Sequence, residues 1–165
     1  MGGEYVNYDC FAQLEAGTLA PAEAETEQAF MERVLKAVFN EHGDSCEIID
    51  RLEPAFAGCN AAEKTVDIDF TVYDWMLNPN GTLHGGMMST VVDIAFSLIA
   101  RYYAKKRVTV TVQLSVNFLR IIKNGEKFTV HVQADHVGRR SIVAHASVTA
   151  ESSPKPAATA SAVLM

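Results

Sequence analysis

One carboxylate, Asp93, lies in an almost wholly apolar stretch and is the first candidate for chemistry. It is the only ionisable residue between residues 87 and 100. An ionised carboxylate taken out of water without a partner costs several kcal/mol. We therefore expect Asp93 to be hydrogen-bonded, held protonated or directed into a site.

A glycine-rich turn directly before this stretch is the second candidate. Asn78-Pro79 and Asn80-Gly81 are turn-forming pairs, and His84-Gly85-Gly86 follows where a helix is predicted to begin. The first turn of a helix has free backbone N–H groups and the positive end of the helix dipole, and glycine allows close approach. The turn could bind an anion or polarise a carbonyl oxygen such as that of a thioester; a tight turn packed on a sheet is the alternative.

Asp93 and His84 lie too far apart to act on one atom within a single chain. Asp93 follows His84 by nine residues, which in a helix is about 13.5 Å of rise and about half a turn of rotation. If Asp93 is catalytic, the N-terminal turn of a second copy is the natural source of oxyanion donors. The spacing therefore predicts a site shared across a dimer.

Composition excludes several classes of protein. The 165 residues suit one compact unit, no apolar run is long enough to span a membrane, and no secretory leader is evident, so a cytoplasmic protein is expected. A net charge of −6 argues against nucleic acid as a partner. Residues 1–60 carry −9 and residues 61–165 carry +3, which suits a small anionic ligand but equally an acidic surface helix beside an ordinary sheet.

Cysteine and histidine spacing predicts neither disulfides nor a metal site. Cys10, Cys46 and Cys59 are odd in number and form no C-x-x-C pair, which indicates reduced thiols. The five histidines lack the spacing of metal ligands. We expect no bound metal.

The elements that position these residues follow from hydrophobic periodicity. Helical spacing predicts an amphipathic helix over about 21–42, and period-two alternation predicts six strands at 47–52, 64–72, 108–119, 126–136, 142–151 and 157–164. Lys123-Asn124-Gly125 and Gly138-Arg139-Arg140 are predicted hairpin turns. The segment from His84 onward is predicted to form one long apolar helix.

Such a helix must be covered on nearly all sides. A curved antiparallel sheet of about six strands wrapped round it satisfies this requirement and gives an α+β fold. The division is an N-terminal extension over 1–44 and a main domain over 45–165. The sheet would keep edge strands, and pairing edge to edge about a two-fold axis would cover one of them.

The turn and the carboxylate together resemble a known family. The pattern N-x-x-G-x-x-H-G-G, with Asp93 nine residues after the histidine, resembles the PaaI-type hotdog thioesterases over about 46–165; its fixed positions are Asn78, Gly81, His84, Gly85 and Gly86. The resemblance implies the hotdog fold and hydrolysis of an acyl-CoA to a free acid and CoA. It also implies a homodimer, or a dimer of dimers, with CoA entering as part of the substrate rather than as a cofactor.

The resemblance also assigns roles by position. Asp93 matches a catalytic carboxylate that acts as general base or nucleophile, and Gly85 matches the glycine whose N–H polarises the thioester. His84 orders the turn and assists at the carbonyl, Asn78 holds water or the thioester oxygen, and Thr111 orients water. The candidates for binding the phosphates of CoA are Lys105, Lys106, Arg107, Arg120, Lys123, Arg139 and Arg140, and Gly86 is a further candidate for contact with CoA. Met87, Met88 and Phe96 would line the acyl pocket.

Two alternatives remain open at this point. One is a hotdog hydratase or dehydratase for enoyl or hydroxyacyl thioesters, in which a histidine transfers the proton. The other is a non-catalytic acyl-CoA-binding module. Release of free thiol distinguishes the thioesterase from both.

Overall fold

The computed structural model describes residue 13 and residues 16–40, 47–105 and 109–165. Three α-helices with described bounds, one short 3-10 helix and six strands make up the fold. The helices are α1 (Glu27–Asn40), α2 (Glu47–Leu52) and α3 (Gly85–Ala104), with the 3-10 helix at Asp74–Met76. The strands are β1 (Ala55–Asn60), β2 (Thr65–Thr71), β3 (Thr111–Phe118), β4 (Lys127–Val137), β5 (Ile142–Ala150) and β6 (Ala158–Leu164).

The six strands form one antiparallel sheet that curves round α3. Their order across the sheet is β1-β2-β4-β5-β6-β3, so β1 and β3 are the two edges. Along β2, Val66, Ile68 and Phe70 are buried, whereas Asp67 and Asp69 alternate with them on the outer face. The predicted α+β hotdog architecture is therefore confirmed.

Helix α3 fills the concave side of the sheet. Ten of its twenty residues are buried, among them Val91, Val92, Ala95, Phe96 and Ile99. It contacts β2, β3, β4, β5 and β6. In the part of the chain that the structure describes, no helix combines the length and hydropathy needed to cross a membrane.

The N-terminal helix is present but begins later than predicted. Thr26 Oγ1 accepts a hydrogen bond from the Ala29 N–H at 3.2 Å and caps the first turn of α1. The preceding residues instead form a turn in which the Ala22 N–H donates to the Glu25 carboxylate. Helix α1 packs on β1 and α3 through buried side chains that include Met31 and Leu35.

The strand predicted at 47–52 was wrong. Residues 47–52 form helix α2 rather than a strand, because Glu47 and Asp50 suit a helix start and Leu52 alone enters the core. The first strand is instead β1, whose ladder is interrupted by a bulge between Phe56 and Gly58. Six residues are too few for the period to distinguish a helix from a strand.

The two predicted hairpin turns differ in outcome. The turn at Gly138 joins the neighbouring strands β4 and β5, and its N–H donates to the Ser141 carbonyl, so that prediction is confirmed. Lys123-Asn124-Gly125 is not a hairpin turn, since it follows β3 and precedes β4, which are not neighbours. Lys123 instead forms an isolated antiparallel β-bridge with Thr82, which lies in the turn before α3.

Candidate active site

The turn before α3 is held closed by Asn78. Its Oδ1 accepts from the Asn80 N–H at 2.9 Å and the Thr82 N–H at 3.3 Å, while its Nδ2 donates to Thr82 Oγ1 at 2.9 Å. Gly81 takes a positive φ of 73° within this turn, a conformation that glycine adopts without strain. The Asn78 amide that the family resemblance assigns to water or the thioester is thus engaged in shaping the turn.

His84 caps the N-terminus of α3. The ring Nδ1 of His84 accepts a hydrogen bond from the Gly86 N–H at 2.9 Å. The backbone N–H of His84 donates to the Met76 carbonyl at 2.8 Å. Because Nδ1 is an acceptor, the neutral ring carries its proton on Nε2. A Cβ at residue 86 would lie 3.0 Å from Nδ1, so glycine at this position lets the imidazole fold onto the turn.

Gly85 offers a backbone donor at the positive end of the helix. It is the first residue of α3, and among the described residues its N–H has no acceptor. The Phe118 ring lies beside it, 3.4 Å from the place that a Cβ would occupy. The free N–H and the helix dipole together can polarise a carbonyl oxygen.

Asp93 is half-buried and hydrogen-bonded, which answers the question raised by its place on an apolar helix. Thr111 Oγ1 donates to Asp93 Oδ1 at 2.8 Å, so strand β3 supplies the partner. The other carboxylate oxygen has no partner among the described residues. That oxygen remains available to accept a proton from water or to attack an electrophile.

The two halves of the site lie apart within one chain. Helix α3 runs unbroken from Gly85 to Ala104. Asp93 is therefore about 12 Å along the axis from Gly85. The structure brings Asp93 together with Thr111, and His84 together with Gly85 and Gly86, but it does not bring the two groups together.

A cleft of about 320 Å³ opens beside Gly85. It is lined by the Asn78 turn, the start of α3 and the segment that follows β3: Asn78, Thr82, Leu83, Gly85, Met88, Phe118, Leu119, Arg120, Ile121 and Ile122. Of the predicted acyl-pocket residues, Met88 lines this cleft. Met87 is half-buried outside it, and Phe96 is fully buried in the core.

The predicted phosphate-binding residues are spread over the surface. Arg139 and Arg140 are exposed in the β4–β5 hairpin, and Gly86 is exposed in the first turn of α3. Lys106 and Arg107 lie outside the described residues. Arg120, by contrast, donates to the Pro156 carbonyl at 2.5 Å.

The described cysteine, Cys59, and the described metal-ligand candidates form no second site. Burial raises the pKa of the Cys59 thiol, which disfavours the reactive thiolate; Cys10 and Cys46 lie outside the described residues. Among the residues that the structure describes, no three His, Cys, Asp or Glu side chains are grouped so that they could hold a metal ion.

Sequence reasoning missed Phe118 and Leu119. Both are large apolar side chains about half exposed, at 57% and 50%. The available signal was the loss of period-two alternation after Asn117, where Phe118, Leu119, Ile121 and Ile122 follow within five residues. Such a run at a strand end indicates a surface that is covered by something else.

Comparison with known proteins agrees with this geometry. Residues 80–157 match the thioesterase superfamily. A Pseudomonas aeruginosa protein named as a putative esterase is 29% identical over 120 residues, which cover 72% of this chain and 87% of the relative. The solved PaaI protein from the phenylacetic acid degradation operon of E. coli aligns with a TM-score of 0.64 and 20% identity, over 73% of this chain and 84% of that one.

A third similar protein was solved with a ligand. The structure of a Streptococcus mutans protein bound to acetyl CoA aligns with a TM-score of 0.60 and 25% identity, over 68% of this chain and 86% of that one.

Proposed function

We propose that this chain hydrolyses an acyl-CoA thioester to a free acid and CoA, because residues 80–157 match the thioesterase superfamily and the chain has the hotdog fold. The observation that carries the proposal is the set of contacts that Asp93 makes. This carboxylate is half-buried, is fixed through one oxygen by Thr111 and has its second oxygen without a partner among the described residues. It lies within the segment that matches the superfamily.

The reaction needs an oxyanion donor and a base or nucleophile. The thioester oxygen accepts a hydrogen bond from the Gly85 N–H, which polarises the carbonyl carbon. Asp93 then either removes a proton from a water that attacks this carbon, or attacks the carbon itself to form an anhydride that water opens. In both routes the C–S bond breaks, the thiol of CoA leaves with a proton, and the acyl group departs as a carboxylic acid.

A homodimer would complete the site. Gly85 and Asp93 of one chain do not converge, so each site would combine Asp93 of one subunit with the turn of the other. Strand β3 supports such pairing, because it is an edge of the sheet and large apolar side chains are exposed on it and next to it. These residues are Val110, Val112, Phe118, Leu119 and Ile121. A dimer of dimers is the larger assembly proposed.

Coenzyme A is the proposed carrier of the acyl group. The acetyl CoA held by the similar Streptococcus mutans protein supports this choice. The exposed pair Arg139-Arg140 is the proposed contact for its phosphates, with Lys106 and Arg107 as further candidates; the guanidinium group binds phosphate through paired N–H donors. Gly86 lies next to the reacting carbonyl.

The test is thiol release by Asp93→Asn over a panel of short, medium and aromatic acyl-CoAs. Because the reaction depends on the carboxylate, kcat of Asp93→Asn should fall at least about 100-fold. The circular dichroism spectrum of the variant should be unchanged. Asp69→Asn is the matched control, since Asp69 also accepts from a threonine, Thr129 Oγ1, at 2.6 Å, but on the outer face of the sheet. The control should keep wild-type turnover.

Other outcomes of this test would replace the proposal. Unchanged turnover in Asp93→Asn would refute the role of the carboxylate. Loss of the crotonyl-CoA double bond without thiol release would indicate a hydratase. Tight acyl-CoA binding with neither reaction would indicate a binding module.

A further inference from the structure

Helix α3 contains three serine or threonine hydroxyls, and one of them differs from the other two in its hydrogen bonding. Ser89 Oγ donates to the Gly85 carbonyl at 3.0 Å, and Thr90 Oγ1 donates to the Gly86 carbonyl at 2.9 Å. A helical hydroxyl commonly bonds in this way to the carbonyl four residues earlier. Ser97 does not, and its Oγ has no hydrogen-bond partner among the described residues.

The Ser97 hydroxyl is placed where water can reach it. The residue is half-buried, between the buried side chains of Phe96 and Leu98. Within the described ranges, Thr109 Oγ1 is the one fully buried side-chain polar atom without a partner, so Ser97 Oγ is not sealed from solvent. A half-buried hydroxyl that makes no bond to protein needs another partner, and water is the partner that the site admits.

Ser97 lies one helical turn from Asp93 on the same face of α3. The two residues are four positions apart and both are half-buried, whereas Ala95 and Phe96 between them are buried. Residues at this spacing have their Cβ atoms about 5–6 Å apart. Thr111 fixes one Asp93 oxygen, and the other has no partner in the described part of the chain. A water with two hydrogen bonds of about 2.8 Å spans about 5 Å, so it can contact both side chains.

We propose that Ser97 is a positioning residue that holds the hydrolytic water together with Asp93. This inference rests on the proposed thioesterase function and adds a residue to the same site. The water donates one hydrogen bond to the second Asp93 oxygen and the other to Ser97 Oγ, which leaves an oxygen lone pair to attack the carbonyl carbon. The first proton passes to Asp93 and then to the sulfur as the C–S bond breaks. In the anhydride route, the same water opens the anhydride.

The first measurement separates kcat from KM for the acyl-CoA that the wild type hydrolyses fastest. Ser97→Ala should lower kcat about 5- to 10-fold, the loss expected for one hydrogen bond, and change KM less than about 2-fold, because the hydroxyl contacts water rather than acyl-CoA. Ser97→Thr keeps the hydroxyl and should recover most of the rate.

Ser147→Ala is the matched control for this measurement. Ser147 is also a half-buried serine whose hydroxyl has no partner among the residues described. It lies on strand β5 opposite His131 and Thr159, on the outer face of the sheet and away from Asp93. This variant should keep the wild-type kcat and KM.

The second measurement uses methanol as a competing nucleophile. Methanol has a single O–H, which it gives to Asp93, and so it has no second proton to donate to Ser97. Attack by methanol forms the methyl ester and free CoA, whereas attack by water forms the acid and free CoA. Ser97→Ala should therefore raise the ratio of methyl ester to acid about 5-fold above that of the wild type. A merely structural defect would lower both products alike.

Three results would overturn the role of Ser97 and leave the thioesterase function intact. These are wild-type kcat in Ser97→Ala, equal losses in Ser97→Ala and Ser97→Thr, and an unchanged ratio of methyl ester to acid. In each case thiol release that still depends on Asp93 would maintain the proposed function. A wild-type protein that releases no thiol from any acyl-CoA of the panel would overturn both.

Discussion

Thr111 donates a hydrogen bond to Asp93, with 2.8 Å between Oγ1 and Oδ1, and so joins edge strand β3 to the middle of helix α3. The two residues are 18 positions apart in the chain. One carboxylate oxygen is thereby fixed, while the other faces no partner among the described residues. A carboxylate held at one oxygen is oriented for reaction at the other, which is the arrangement that a general base or nucleophile requires.

Replacing Thr111 by valine should therefore reduce activity more than stability. A hydrogen bond to a charged group contributes about 1.5–3 kcal/mol, so kcat/KM for acyl-CoA should fall about 10- to 100-fold in Thr111→Val. Thr111→Ser keeps the hydroxyl and should recover most of the rate. Thr129→Val removes the corresponding contact with Asp69 on the outer face and should leave kcat/KM unchanged; an equal loss in that variant would make the effect structural.

The cap at His84 makes a separate prediction about stability. His84→Ala removes the acceptor of the Gly86 N–H and should lower the free energy of unfolding by about 1 kcal/mol. Asparagine is a favoured capping residue, so His84→Asn should recover most of that loss in urea unfolding. If the imidazole also assists at the carbonyl, thiol release will stay reduced in His84→Asn, whereas full recovery of turnover would limit His84 to ordering the turn.

The parts of the fold with strong periodicity were predictable from the sequence. Strands β2 and β4–β6 alternate over seven or more residues, and α3 is marked by a glycine turn at its start. Helix α2 and strand β1 were not predictable, since each has six residues and β1 contains Gly58 at a bulge. Their identity is decided by packing, with Leu52 buried beneath α2, rather than by local preference.

The site was predictable where it is local in sequence and not where it depends on tertiary contacts. His84, Gly85 and Gly86 are adjacent, and the phase of Asp93 follows from helix geometry alone. Two other features depend on how the segment after β3 crosses the start of α3. The Asn78 side chain closes its own turn, and the Phe118 ring covers Gly85. No periodic pattern encodes that crossing.

Glu126, which lies between β3 and β4, is expected to make the free energy of unfolding depend on pH in the acid range. Hydrogen bonds from Ser152 and from the Lys123 N–H lower the pKa of Glu126 below its usual value of 4.5. Because the folded-state pKa is the lower one, the stabilisation is complete above about pH 4.5 and is lost as pH falls through the folded-state value. Glu126→Gln should be about 1 kcal/mol less stable at pH 7, with the difference shrinking in acid.

The measurement is urea unfolding of wild type and Glu126→Gln at several pH values between 7 and 3. Glu63→Gln is the control, because Glu63 is an exposed glutamate outside the group formed by Glu126, Lys123 and Ser152. A difference between wild type and Glu126→Gln that stays constant across this range would mean that the charge of Glu126 does not contribute.

The shared site makes the last prediction, which uses two inactive variants. Asp93→Asn removes the base, and Gly85→Pro removes the N–H donor at the first position of a helix, where proline is tolerated. His84 already has φ −66° and ψ 135°, the extended conformation that a residue before proline adopts. Each variant alone should release almost no thiol, and each should remain folded by circular dichroism.

Unfolding and refolding the two variants together at equal concentration should restore activity. Random pairing makes about half of the dimers mixed, and one of the two sites in each mixed dimer combines an intact Gly85 with an intact Asp93. Thiol release should therefore return to about a quarter of the wild-type rate, and refolding either variant alone should restore none. If Asp93 works with the turn of its own chain, every site in the mixture carries one defect and no activity returns.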